Sequence, residues 1–396
     1  SIEPSQFNPA KAYIAVDRHL LGDNTPYFYM TQDYGKNWEL LSTPSNGIPS
    51  DYTSKVLRED PEKAGLLYAG TEFGMFVSFD DGKTWKTFQQ NLPVTPITDI
   101  IINRGDLVLS TMGRGFWILD NITSLRDPKM VALKDEPVLF KPSNTIRYRT
   151  SSASGDFPNY PSTSVAIDYY LPKESDTMVS LAILDKNKKV VVTVVSDSTQ
   201  LKSTTEEVED MGLSMTFIYA DQKLETKKSL NRFHWDLRQK GAWSEKKERS
   251  FKNGPMVPPG SYTVRLTVGN ETFEQLFEVL LDPRLEQEGI SRDNIKEQLA
   301  FQNKVIDLLS DARKFQSNLE TKIKDTENKS SKEALENVLK QLKNDEGAYP
   351  LQVLEAQISY LSNIISDADK VLGNDVKDRY TELFEQLNVL KSKVSG

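Results

Sequence analysis

Thr31-Gln32-Asp33-Tyr34-Gly35-Lys36-Asn37-Trp38 and Ser78-Phe79-Asp80-Asp81-Gly82-Lys83-Thr84-Trp85 share one pattern, Ser/Thr-x-Asp-x-Gly-x-x-Trp, with their first aspartates 47 residues apart. The pattern has a local physical logic. A short carboxylate side chain in a turn accepts hydrogen bonds from nearby backbone amides. Gly35 and Gly82 suit a backbone conformation that a Cβ opposes. Trp38 and Trp85 each bring back a large apolar ring, expected to plug a hydrophobic layer. The period matches a four-stranded unit of a repeat array.

Strands can be placed outward from these turns. In the second unit, Lys55–Arg58 is the inner strand, followed by Leu66–Gly70, Met75–Ser78 and Trp85–Phe88. The first unit repeats the last three as Ala12–Val16, Tyr27–Met30 and Trp38–Leu41. A third unit holds Ile97–Ile102, Leu107–Ser110 and Phe116–Asp120, without the turn motif. These are read as β-propeller blades. Closed propellers have about four blades or more, and an open stack exposes faces and edges. The chain is therefore read as the C-terminal part of a longer protein, or as pairing with a separate chain that carries the missing blades.

Beyond residue 125 the composition changes twice. Arg126-Asp127-Pro128, Pro137 and Pro142 mark a linker over 126–148. Residues 149–282 alternate with period two, as in Ser164–Tyr170, Val179–Leu184 and Ser261–Val268. That predicts an antiparallel, immunoglobulin-like β-sandwich. After Asp282-Pro283, apolar residues recur every three or four positions in four runs, with Ser291, Ser331 and Pro350 as helix-start signals. The expected fold class is multidomain: partial β-propeller (1–125), linker, β-sandwich (149–282) and C-terminal α-helical bundle (283–396).

Totals exclude several functions. Among 396 residues there is no cysteine, and His19 and His234 are the only histidines. Disulfide and thiolate chemistry are excluded, and no metal site or other cofactor is expected. The formal net charge is -8, which argues against a nucleic-acid partner. No run is long enough for a transmembrane segment, and Ser1-Ile2-Glu3-Pro4 lacks the basic and apolar regions of a signal peptide.

The motifs carry a resemblance. Ala15-Val16-Asp17-Arg18-His19, Arg58-Glu59-Asp60-Pro61, Leu67-Tyr68-Ala69-Gly70-Thr71-Glu72-Phe73-Gly74 and Gly113-Arg114-Gly115-Phe116-Trp117 resemble bacterial BNR or aspartate-box repeat proteins. That family is described as sortilin-like or sialidase-like, is similar to exported proteins of Bacteroidetes-type bacteria, and is often labelled glycosyl hydrolase. The resemblance implies export, to the periplasm or to an outer-membrane-associated or extracellular place. Met112 stands where the family usually has a histidine. The boxes themselves (Thr31, Asp33, Gly35, Trp38; Ser78, Asp80, Gly82, Trp85) predict a blade and no reaction.

Blade layout puts the boxes at one end of the disc and a ligand at the other. The ligand end collects Asp17, Arg18, His19, Glu72, Phe73, Asp99 and Arg114. Arg18, Glu72 and Arg114 could knit the ring as ion pairs. Alternatively, arginines could clamp an acidic ligand, or a carboxylate pair could hydrolyse a glycoside. The expectation is an exported binding or scaffold protein whose ligand is a glycan or another cell-envelope protein. The alternative is a glycoside hydrolase, sialidase-like or xyloglucanase-like, with most catalytic residues on the missing blades.

Overall fold

Leu67–Thr71 and Gly74–Ser78 are buried at every residue, as strands are when their sheet is covered on both faces. They form the middle of a four-stranded sheet in a computed structural model that describes residues 1–149, 163–175, 177–196, 223–246, 252–343 and 353–394. The chain divides into two compact units, Ser1–Lys134 and Asp135–Gly396.

The first unit holds three antiparallel meanders. The first sheet runs β1 (Ile2–Pro4), β2 (Ala12–Val16), β3 (Tyr27–Thr31), β4 (Glu39–Leu40). The second runs β5 (Ser54–Glu59), β6 (Leu67–Thr71), β7 (Gly74–Ser78), β8 (Lys86–Thr87). The third has β9 (Ile97–Asn103), β10 (Asp106–Thr111) and β11 (Phe116–Leu119). Ile2–Pro4 had not been expected as a strand. It pairs Ile2 with Ile14 and Pro4 with Ala12, at a sheet edge, where proline is tolerated. Arg104-Gly105 turns β9 into β10 with both residues at positive φ, 52° and 87°, as a tight hairpin turn requires.

Both repeat turns close by the same bonds. Asp33 accepts from the Asn37 amide and Asp80 from the Thr84 amide, each at 2.9 Å. Thr31 Oγ1 and Ser78 Oγ accept from the Gly35 and Gly82 amides, also at 2.9 Å. The two tryptophans diverge. Trp85 is buried, lies 6.1 Å from Phe28, and donates from Nε1 to the Leu41 carbonyl of the first sheet at 2.9 Å. Trp38, expected to be an equal plug, is 41% exposed and donates only to Gly35 within its own turn. The difference is tertiary: a sheet lies against Trp85, and none of the described residues covers Trp38.

In the second unit a three-stranded sheet, β12 (Val138–Leu139), β14 (Val165–Leu171) and β17 (Ser229–Trp235), packs with a five-stranded one around Ile167, Leu181, Trp235 and Phe277. The larger sheet has the order β13 (Thr145–Arg147), β19 (Glu271–Leu281), β18 (Gly260–Val268), β15 (Val179–Leu184), β16 (Val190–Val195). It is not wholly antiparallel, because β13 runs parallel to β19.

Beyond the short α1 (Thr123–Arg126) and α2 (Pro283–Gln287), four helices follow: α3 (Arg292–Asp325), α4 (Lys329–Leu342), α5 (Leu354–Asp367) and α6 (Asn374–Ser392). Their apolar stripes meet at Leu309, Leu342, Ile358 and Leu383. Ser291 caps α3, but the cap of α4 is Asn328, which accepts from the Ser331 amide. Pro350 lies outside the described residues.

A buried ion cluster ties the sandwich to the helices. Arg147 donates to both carboxylate oxygens of Asp369 and to the Val257 carbonyl, and Arg149 joins Asp369 at 2.8 Å. Burial disfavours the Asp369 carboxylate, yet the two arginines outweigh it and hold its pKa below the ordinary range.

Two stability predictions follow from this packing. Gly35 and Gly82 have φ of 82° and 84°, but an added Cβ at Gly82 would meet Leu41 at 2.7 Å, whereas at Gly35 its nearest neighbour is Trp38 at 3.7 Å. Gly35→Ala should therefore cost about 1–2 kcal/mol of conformational strain, and Gly82→Ala distinctly more, by urea denaturation. Equal losses would contradict the packing difference. Asp369→Asn leaves the buried Arg147 and the part-buried Arg149 without their carboxylate and should cost roughly 3–5 kcal/mol in the same measurement.

Candidate functional site

Successive antiparallel strands put the β2–β3 and β6–β7 loops at the end of the first unit opposite the repeat turns. The start of β5 joins them, since the Glu72 amide donates to Thr53 O at 2.9 Å. At this end an ammonium sits between two carboxylates. Lys55 Nζ lies 2.9 Å from Asp17 Oδ2 and 2.8 Å from Glu72 Oε2. Asp17 Oδ1 meets the His19 amide at 3.0 Å and its ring Nδ1 at 2.6 Å. Asp17, His19 and Glu72 were expected together. Lys55, on the expected inner strand Lys55–Arg58, was not counted as the group that joins them.

The electrostatics follow from those contacts. Burial raises the Asp17 pKa, but hydrogen bonds from His19 and Lys55 outweigh it and hold the carboxyl at about 2. Burial lowers the Lys55 pKa, and its bonds to Glu72 and Asp17 more than reverse that. Asp17 and Lys55 are thus both charged across the neutral range.

The other expected residues go elsewhere. Arg18 pairs with Asp23 at 3.1 Å and lies over the Tyr27 ring, 5.6 Å from its centroid, rather than reaching Glu72. Asp99 pairs with Arg58 at 2.7 Å. Arg58 also reaches Glu3 at 3.6 Å, so one guanidinium links strands of all three sheets. Burial raises the pKa of Glu3 against the opposing pull of Arg58. Arg58 and Glu3 were missed because an Arg and a Glu on different strands give no signal until the strands are stacked. Arg114 is exposed on the β10–β11 turn, between Gly113 and Gly115.

Apolar side chains are exposed around the charged cluster. Leu20 and Leu21 stand out from a short turn after Arg18. Phe73 leans on Tyr52, with ring centroids 5.0 Å apart, and keeps much of its face open. Val94 and Met112 are exposed beside the start of β9, where the Met112 amide donates to Pro96 O. A cleft of about 750 Å³ lies in the second unit instead, and on its wall Arg313 and Glu355 neutralise each other at 2.7 Å.

The protein is a multidomain, β-rich chain with a C-terminal helical region, and its first unit ends in a mixed charged and apolar surface. No family model and no curated protein sequence matches it. Solved structures do. PorZ, an essential bacterial surface component of the type-IX secretion system of Porphyromonas gingivalis, is 12% identical; the match covers 68% of this chain and 37% of that one, with a TM-score of 0.23. The GH74 enzyme of Niastella koreensis is 9% identical over 70% of this chain and 46% of that one, with a TM-score of 0.26. The extracellular domain of a putative hybrid two component system from B. thetaiotaomicron is 12% identical over 73% and 37%, with a TM-score of 0.24. The chain spans less than half the length of each, and likeness at this level speaks to neither activity nor ligand. No helix among the described residues is long and apolar enough to cross a membrane.

A depressed carboxylate stabilises the fold above its unfolded pKa, about 3.9, and that contribution is lost as pH falls through about 2. Lys55→Met removes the cation that, after the two His19 bonds, helps to hold Asp17 down. A carboxyl-detected NMR titration should show the Asp17 pKa rising by about one unit or more. An unmoved value would mean that Lys55 does not organise the cluster.

Proposed function

We propose that the three sheets of the first unit are consecutive β-propeller blades of an exported binding or scaffold protein, and that its ligand is another cell-envelope protein. The immunoglobulin-like sandwich and the helical bundle are appended modules that space or dock the propeller. The ligand docks at the end opposite the repeat turns.

One observation carries this reading. Leu20, Leu21, Phe73, Val94 and Met112 are exposed at the end where Lys55 bridges Asp17 and Glu72. Exposed apolar residues beside a charged cluster make the kind of mixed surface that protein interfaces bury. Glycoside hydrolysis, the alternative, needs two carboxyl groups free to act as acid and as base or nucleophile. Here Asp17 and Glu72 share one ammonium, and Asp99 is committed to Arg58.

The test is site-directed photo-crosslinking in the native cell envelope. A benzophenone side chain at position 73 should trap a partner protein, and one at position 36, on the first repeat turn, should not. Equal trapping at both positions would sink the reading. So would turnover of xyloglucan or a sialoside by the purified chain that disappears on Glu72→Gln.

A further inference from the structure

A buried or half-buried indole normally gives its N–H an acceptor, and four of the five tryptophans here do so. Trp38 donates to Gly35 O at 3.1 Å, Trp85 to Leu41 O at 2.9 Å, Trp117 to Arg114 O at 3.1 Å and Trp235 to Arg238 O at 3.0 Å. Among the described residues, Trp243 alone of the five has no acceptor for Nε1. It is half-buried and lines the cleft of about 750 Å³ in the second unit. Its backbone is anchored on both sides to α3. The amide donates to Ser310 Oγ at 3.0 Å, and the carbonyl accepts from Arg313 Nη1 at 3.5 Å. The ring thus stands on a held backbone with its polar edge unspent.

The helices lining the cleft turn polar stripes to it. Glu355, Ser359 and Asn363 fall four apart on α5, so they share one helical face, and all three line the cleft. Arg313, Gln316 and Glu320 do the same on α3, where Ile306 and Leu309 still carry the apolar stripe that helix packing needs. The charges in the wall are spent on one another. Arg313 meets Glu355 at 2.7 Å and Lys343 meets Glu320 at 2.6 Å, with Gln316 also donating to Glu320 at 3.1 Å. Lys252 is engaged as well, and Glu245 and Lys246 are exposed. Besides those two, the polar groups of the cleft left unspent among the described residues are neutral. They are the Trp243 N–H, the Ser359 hydroxyl and the carboxamides of Asn253 and Asn363.

We propose that this cleft binds a small neutral oligosaccharide, stacked on the Trp243 indole and hydrogen-bonded by Trp243 Nε1, Ser359 Oγ and the Asn363 carboxamide. The chemistry of the wall selects the class. An acidic ligand calls for a free guanidinium or ammonium inside the site, and a basic one for a free carboxylate; Arg313, Lys343, Glu320 and Glu355 are already paired. A sugar hydroxyl both donates and accepts, which matches a lone donor, a hydroxyl and carboxamides. Its ring carbons offer an apolar face to the indole while a hydroxyl takes the indole N–H, the double use for which tryptophan is suited. The volume lies within the range of about 300–1,000 Å³ usual for ligand clefts. The site lies wholly within the second unit and does not rest on the blade reading of the first.

Saturation-transfer NMR on the full chain tests it, with cellobiose, maltose and lactose as neutral probes and sialyllactose as the acidic one. At least one neutral probe should receive saturation, and sialyllactose should gain nothing over lactose. Trp243→Ala should weaken binding about tenfold, as loss of a large aromatic anchor does. Trp243→Phe keeps a ring and removes the N–H, and Asn363→Ala removes a carboxamide at an exposed position. Each should weaken binding about threefold or more, as loss of one hydrogen bond does, and Asn363→Ala should leave circular dichroism and the urea midpoint unchanged. These two variants keep the test decisive if Trp243→Ala loosens the bundle. No transfer to any of the three neutral probes overturns the proposal. So does binding indifferent to both Trp243→Phe and Asn363→Ala, and so does sialyllactose bound more tightly than lactose.

Discussion

The indole of Trp85 joins two sheets, and the arrangement of the first unit depends on that contact. Its ring is buried against Phe28, and its Nε1 satisfies the Leu41 carbonyl, so one side chain supplies both apolar area and polar closure. The turn before it delivers the ring. Asp80 gathers the Thr84 amide and hydroxyl, and Ser78 gathers the Gly82 amide. With its own amides satisfied internally, the turn leaves the tryptophan free to serve the neighbouring sheet. The same bonds form around Asp33, so the turn is a local device and the plug is a tertiary one.

That separation sets what the sequence could reveal. The turns, most strands of the first unit and the helical stripes were legible because they rest on short spacings: eight residues for the turn, period two for strands, three to four for helices. Ile2–Pro4 was not, because three residues ending in proline carry no strand pattern and exist only by pairing with Ala12–Ile14. The fates of Trp38 and Trp85 could not be told apart, since their local contexts are the same and their neighbours are not. The parallel pairing of Thr145–Arg147 with Val279–Leu281 joins segments more than a hundred residues apart. The cap of α4 fell to Asn328 rather than Ser331, a choice between two good capping residues three positions apart.

Charge placement was the least legible layer, and it shows why. Lys55 lies between Asp17 of one sheet and Glu72 of its own. Arg58 reaches Glu3 on one side and Asp99 on the other. Arg147 and Arg149 find Asp369 from across the second unit. None of these partners is a near neighbour in sequence, and long side chains choose partners only after the backbone has placed them. Their consequences also differ with depth. The Asp369 cluster is enclosed, so each member is costly to lose without necessarily adding net stability over an apolar core. The Lys55 cluster is part-exposed and screened, and it contributes more to shape than to stability.

A part-exposed cluster in which each acid has a cation partner also suits a binding surface. Had Asp17 and Glu72 been unpaired, that end of the unit would repel anions and hold water tightly, and any partner would have to supply a cation for them. With Lys55 between them each acid keeps an ion-pair partner, and half of their joint charge is offset within the cluster, so covering the surrounding Leu20, Leu21 and Phe73 strands neither acid alone. The same logic separates the two ends of the unit. At the repeat turns, Asp33 and Asp80 are spent on their own amides, with their pKa values lowered by bonds from Asn37 and, against some burial, from Thr84. Their commitment there makes the turns structural, whereas at the opposite end Asp17 divides its two oxygens between its own loop and Lys55 of the next sheet.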